Sequence, residues 1–116
     1  MKMTAPLKEN HLFRRAYNKG KTAADSRLAL YVRRNGQKIN RLGLTVSTKV
    51  GCAVVRNRIR RRLREIYRLH EDGLACGCDV VVVARTRCAS SDYRQLEKSF
   101  LRLADKLGLL RKDVDQ

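Results

Sequence analysis

The chain has 116 residues, 43% of them hydrophobic, with few aromatics and no Trp, and that length suits one domain burying about two-thirds of the surface its unfolded chain exposes. Its 27 Lys and Arg against 11 Asp and Glu leave a net charge of +16, which calls for a nucleic acid or another polyanionic partner. No apolar run approaches the ~20 residues of a membrane helix, and Met1-Lys2-Met3-Thr4-Ala5-Pro6 lacks the apolar segment of a secretory signal, so a membrane partner is disfavoured and a cytoplasmic location is expected.

In chain order, Asn10 as a cap, then Leu12, Phe13, Ala16 and Tyr17, with Gly20 as a stop, predict a first helix of about two to three turns. Phe13 and Tyr17 share a face one turn apart. Such pairs are commonly core, but their rings could instead line a groove on which unpaired bases stack. Lys21 to Ser26 read as a polar loop. Leu28 to Val32 read as a strand, Asn35-Gly36 is a two-residue hairpin signal, and Arg41 to Ser47 alternate apolar with small or polar residues. An antiparallel hairpin with one buried face is the expectation. Thr48 to Gly51 link it to a second helix, and Gly73 to Cys78 form a loop. Asp79 to Arg85 make a short apolar strand that should be central. Ser90-Ser91-Asp92 then cap a last helix marked by Tyr93, Leu96, Phe100, Leu103, Ala104 and Leu107. The tail after Leu110 is expected to fray. The order α-β-β-(β)-α-β-α describes an α+β sandwich on a mixed sheet, a single domain over 1–116 with an ordered core of about 7–110.

The second helix dominates the sequence. Between Arg56 and Arg68, seven arginines and one carboxylate fall within thirteen residues. Val55, Ile59, Leu63, Ile66, Tyr67 and His70 recur at amphipathic-helix spacing, which places Asn57, Arg61, Arg64 and Arg68 opposite and Arg56 and Arg60 along one edge. Guanidinium forks engage phosphate oxygens bidentately and stack on bases, whereas lysine acts as a point charge. Like charges three and four apart weaken an isolated helix. A bound polyanion would relieve that repulsion.

Catalysis by the chain needs convergent acids, bases or metal ligands, and none is visible. The acids are scattered, and His11 and His70 lie far apart. Cys52, Cys76, Cys78 and Cys88 are expected to be reduced thiols, and Cys76-Gly77-Cys78 is too tight for a zinc pair. Neither a metal site nor a catalytic residue is expected in the protein itself.

The run from Arg41 to Glu65, with its Arg56-Asn57-Arg58 segment and trailing arginines, closely resembles the signature of the bacterial ribonuclease P protein subunit. The likeness extends to Phe13, Tyr17, Gly20, Leu30-Tyr31 and Asp79 to Arg85, covering roughly residues 7 to 110. The resemblance implies an α-β-β-β-α-β-α two-layer sandwich with a left-handed βαβ crossover, similar to the second domain of ribosomal protein S5. It implies as partners a catalytic RNA, which with Mg2+ held mainly by the RNA removes the 5′ leader of precursor tRNA, and precursor tRNA itself; no organic cofactor or obligate protein partner is implied. Arg56, Asn57, Arg58, Arg60, Arg61 and Arg64 match the motif facing the catalytic RNA, joined by Arg68 and Lys49. Phe13, Tyr17 and Tyr31 match the cleft for the single-stranded leader, with Arg41 and Ser47 supporting it. Cys52 departs from the family pattern where many relatives carry a polar residue able to cap the helix, which predicts a weakly capped start. A ribosomal protein of the same fold explains charge and fold but not the aromatic pair beside Arg56-Asn57-Arg58, and a nonspecific DNA binder lacks a helix-turn-helix pattern.

Overall fold

The computed structural model describes residues 4–111. Its elements are β1 (Thr4–Pro6), α1 (Asn10–Lys19), β2 (Lys21–Ala24), β3 (Leu28–Arg34), β4 (Asn40–Val46), α2 (Ala53–His70), β5 (Cys78–Ala84) and α3 (Tyr93–Lys106), with 3-10 turns at Thr48–Val50, Glu71–Gly73 and Thr86–Ser90. The five strands lie in the order β1-β4-β5-β3-β2. β4 and β5 pair in parallel, as do β1 and β4, while β3 runs antiparallel to both β5 and β2.

The apolar run of β5 makes it the middle of the sheet. Six of its seven positions are buried, as expected of a strand covered on both faces. Even-numbered residues of β3, β4 and β5, among them Leu28, Leu30, Leu42, Val80 and Val82, join Ile59, Leu63, Ile66 and Tyr67 of α2 and Leu96, Phe100 and Leu103 of α3 in the main core. Fully burying one such side chain contributes about 1.5–3 kcal/mol. At one end of this core Tyr67 hydrogen-bonds Thr4 of β1 (2.9 Å) and Asn40 of β4 (3.1 Å), and burial raises its pKa, so the hydroxyl keeps its proton. α3 starts on a capping box, with Asp92 accepting from the Gln95 amide (2.8 Å) and Gln95 accepting from the Asp92 amide (2.9 Å). α1 lies across part of the other face, where Ala16, Leu12 and Phe13 meet Val81, Val83 and Tyr31.

The β4–α2–β5 crossover is left-handed. The Leu42 carbonyl accepts from the Leu7 amide (2.9 Å), so the polar backbone of Leu42 points toward β1 and away from β5, while its side chain joins α2 in the core. For L-residues this places β5 to the left of β4 when β4 runs upward and α2 faces the viewer. A return over that face into a strand on the left is the rare hand.

Several expectations are corrected. β3 and β4 do not form a hairpin, because β5 lies between them. Asn35-Gly36 does turn, with Gly36 at φ +71° and Asn35 Oδ1 accepting from the Gln37 amide (2.7 Å). However, the Asn35 amide donates to the Gly77 carbonyl (2.9 Å) and its Nδ2 to Asp79 (3.0 Å), which ties the turn to the start of β5. The polar stretch after Gly20 holds edge strand β2, whose mostly exposed positions need no apolar pattern. The sheet also begins before residue 7, at Thr4, with Pro6 tolerated on an edge strand. The cap of α1 is Glu9, whose carbonyl accepts from Leu12 (3.0 Å), so Asn10 is the first helical residue. The expected fraying beyond Leu110 falls largely on residues 112–116, outside the described residues. Among the described residues no helix is long and apolar enough to cross a membrane.

Candidate nucleic-acid interface

On the α1 side of the sheet the strands present odd-numbered residues. Phe13 reaches down onto β4 at Gly43, where an added Cβ would come within 2.6 Å of its ring. That glycine is the seat that lets the ring approach the backbone so closely. One turn on, Tyr17 lies 6.3 Å from Phe13 and meets Tyr31 of β3 edge-on at 4.9 Å. The Tyr17 hydroxyl hydrogen-bonds Thr45 (3.0 Å) across the gap between helix and sheet. Tyr17 is 38% exposed while Phe13 and Tyr31 are half-buried. Asn10, Phe13, Arg14, Tyr17 and Thr45 line the resulting open groove of about 470 Å³.

Arg41 shares this sheet face but does not line the groove. Its guanidinium grips Asp79 in a fork, Nε to Oδ1 at 2.7 Å and Nη2 to Oδ2 at 3.0 Å. Asp79 is fully buried, so Arg41 is fixed toward the opposite end of β4 from Thr45. Ser47 and Lys49 are exposed where β4 gives way to α2. There Cys52 takes the N-cap of α2 without a side-chain hydrogen bond to the helix, as the departure from the family pattern leads one to expect.

α2 divides its arginines among three directions. Arg56 and Arg60, on the β4 edge, donate to the carbonyls of Gly51 (Nε, 3.2 Å) and Val46 (Nη2, 3.3 Å), and Arg60 also donates to Asn57 (3.2 Å). These bonds fix two guanidinium groups where the strand turns into the helix and leave further donors free. Asn57, Arg61, Arg64 and Arg68 are exposed; Arg68 pairs with Glu65, its Nε at 2.7 Å. Arg58 and Arg62 lie half-buried. Arg62 donates to the Ser91 carbonyl (3.3 Å), and the Arg58 Nε is buried without a hydrogen-bond partner among the described residues. The groove and the first turns of α2 thus meet at one end of the sheet, on its two faces. Sequence reasoning missed Gly43, Thr45, Asn10 and Arg14; the alternation of β4, which puts Gly43 and Thr45 on one side, was the available signal for the first two.

Among the described residues no group of three His, Cys, Asp or Glu that could hold a metal ion occurs.

Fold and surface define a strongly basic α+β protein with a left-handed crossover, arginines massed on the crossover helix and rings open on the opposite face. A family model described as Ribonuclease P matches residues 1–108. The Ribonuclease P protein component of Alkaliphilus oremlandii is 40% identical over 114 residues, covering 98% of this chain and all of that one. Its counterpart from Clostridium acetobutylicum is 43% identical over 106 residues, covering 90% and 89%. The Staphylococcus aureus RNase P protein superposes with a TM-score of 0.84 at 29% identity, over 94% of this chain and 98% of that one. The chain belongs to the ribonuclease P protein family, which makes it a component of the endoribonuclease complex that processes tRNA.

Proposed function

We propose that this chain binds the catalytic ribonuclease P RNA through α2 and the 5′ leader of precursor tRNA in the groove beside α1, and that the RNA performs the cleavage. The observation that carries this reading is Tyr17, held between Tyr31 and Thr45 with more than a third of its surface open. A ring fixed in that way stacks on any unpaired base, which suits a leader of variable sequence. The catalytic-RNA surface comprises Arg56, Asn57, Arg60, Arg61, Arg64 and Arg68, with Lys49 beside them and Arg58 reached from the α3 side. The leader surface comprises Phe13, Tyr17 and Tyr31, with Ser47 at its end and Arg41 bracing the sheet beneath. With +16 net charge, the protein lowers the repulsion between the phosphates of catalytic RNA and substrate, so less Mg2+, held by the RNA, suffices. The setting is the cytoplasm, and no protein partner is needed.

Photo-cross-linking tests the leader assignment. Precursor tRNA carrying 4-thiouridine in its leader, bound to the reconstituted complex, is expected to give adducts on peptides containing Phe13, Tyr17 and Tyr31. Adducts confined to α2 or α3 would reject it.

A further inference from the structure

A second basic site lies at the other end of the sheet, about 20 Å along the strands from Ser47. A pocket of about 450 Å³ there, within the range of ligand sites, brings together Lys19 at the end of α1, Lys21 of β2, and Arg33 and Arg34 of β3, beside Cys76. Val32, Leu107 and Leu109 give it an apolar lining. None of the four cations has a side-chain hydrogen bond or ion pair among the described residues. The carboxylate opposite Arg33 in the strand register, Asp79, has both oxygens taken by Arg41, one of them shared with Asn35. At the end of α3 beside the pocket, Gly108 donates to the Asp105 carbonyl (3.1 Å) and Leu109 to the Ala104 carbonyl (2.9 Å).

Four uncompensated cations around an apolar lining match a nucleotide, whose phosphate takes the charges and whose sugar and base cover the aliphatic surface. We propose that this pocket is a nucleotide-binding site, independent of α2 and of the aromatic groove, that holds one nucleotide of a single RNA strand. An acidic peptide would satisfy the charges but make less use of Val32 and Leu107. The inference extends the proposed RNA-binding role to a separate surface.

The two exposed cysteines, Cys76 at this pocket and Cys52 at the start of α2, report the two surfaces separately. The full-length protein is alkylated with iodoacetamide while an unstructured oligoribonucleotide is titrated in, and each cysteine is followed by peptide mass spectrometry. At ten times its Kd the strand is expected to slow alkylation of Cys76 about tenfold by simple occupancy. The double substitution Lys19→Gln and Arg34→Gln, at two exposed residues with no structural partner, should abolish that protection and leave protection of Cys52 unchanged. Adenosine monophosphate distinguishes the sources: protection by it alone shows that a free nucleotide suffices, and protection only by the oligomer shows that a strand is required. Cys76 reacting at its free rate while Cys52 is protected overturns the pocket, as does undiminished protection of Cys76 in the double variant. Loss of protection at Cys52 alone counts against the α2 surface and leaves the pocket standing.

Discussion

Replacing Tyr17 tests the leader groove most cleanly, because Phe13 is half-buried against Gly43 and its loss would disturb packing as well as binding. Tyr31 holds Tyr17 edge-on at 4.9 Å and Thr45 holds its hydroxyl at 3.0 Å, so the open part of the ring can stack on one base. Stacking on one base is worth about 1–3 kcal/mol, so Tyr17→Ala is expected to weaken precursor binding by about 5- to 150-fold. The same change removes a ring pair and a hydrogen bond, together about 1–3 kcal/mol of fold stability. Tyr17→Phe separates the two effects: it keeps the stacking surface, gives up only the bond to Thr45, and should retain most of the affinity. The assay is the Kd of the reconstituted complex for leader-bearing precursor and for mature tRNA, on variants shown to be folded by circular dichroism. Equal losses for precursor and mature tRNA, or undiminished precursor binding by folded Tyr17→Ala, would refute leader stacking on this ring.

Gly43→Ala should push the Phe13 ring off its seat, lower the Tm through about 1–3 kcal/mol of overpacking, and weaken precursor binding while sparing catalytic RNA; an unchanged Tm would mean the ring moves aside freely. Asp79→Asn leaves the Arg41 fork without its buried charge partner and should cost about 3 kcal/mol or more by urea unfolding, so a loss under about 1 kcal/mol would remove the pair as a structural clamp. Arg61→Ala with Arg64→Ala, both exposed, should flatten the salt dependence of catalytic-RNA binding by about 1.4–1.8 log units; an unchanged slope would take them out of the interface. Burial pushes the Asp25 carboxyl up, but hydrogen bonds from the Leu28 and Arg27 amides and from the Arg102 guanidinium outweigh it and hold the pKa at about 2. A lowered folded-state pKa stabilises the fold above the unfolded value and loses that contribution as pH falls from about 4 toward 2. Asp25→Asn should therefore flatten the acid limb of a stability-versus-pH curve; an acid limb that is not flattened would assign it to other groups.

The helices were legible because each carries its own evidence. The 3.6-residue period of α2 named its buried stripe of Ile59, Leu63, Ile66 and Tyr67 along with its exposed Asn57, Arg61, Arg64 and Arg68, and the Ser90-Ser91-Asp92 cluster marked the start of α3, where Asp92 is the cap. The apolar run of β5 gave its central place. Strand partners were not legible: alternation says which residues share a face but not which strand lies alongside, so Asn35-Gly36 suggested a hairpin that β5 in fact divides. The edge strands are short, β1 with three residues and β2 with four, the latter mostly exposed, and so carry no periodic signal. At the site, helical spacing paired Phe13 with Tyr17, but the seat at Gly43 and the anchor at Thr45 come from a distant strand. Arg58 lies half-buried on the flank of α2 from which Arg62, one turn on, reaches the Ser91 carbonyl, a burial that the periodicity of α2 by itself does not specify.

The most direct measurement is 5′ cleavage of precursor tRNA by a bacterial ribonuclease P RNA at low Mg2+, with and without this protein. Strong stimulation, reduced by Tyr17→Ala and by the Arg61→Ala, Arg64→Ala pair, is the expected result. Tight binding to the RNA with no gain in cleavage would contradict the proposed role and leave a basic protein of this fold that binds RNA without assisting the reaction.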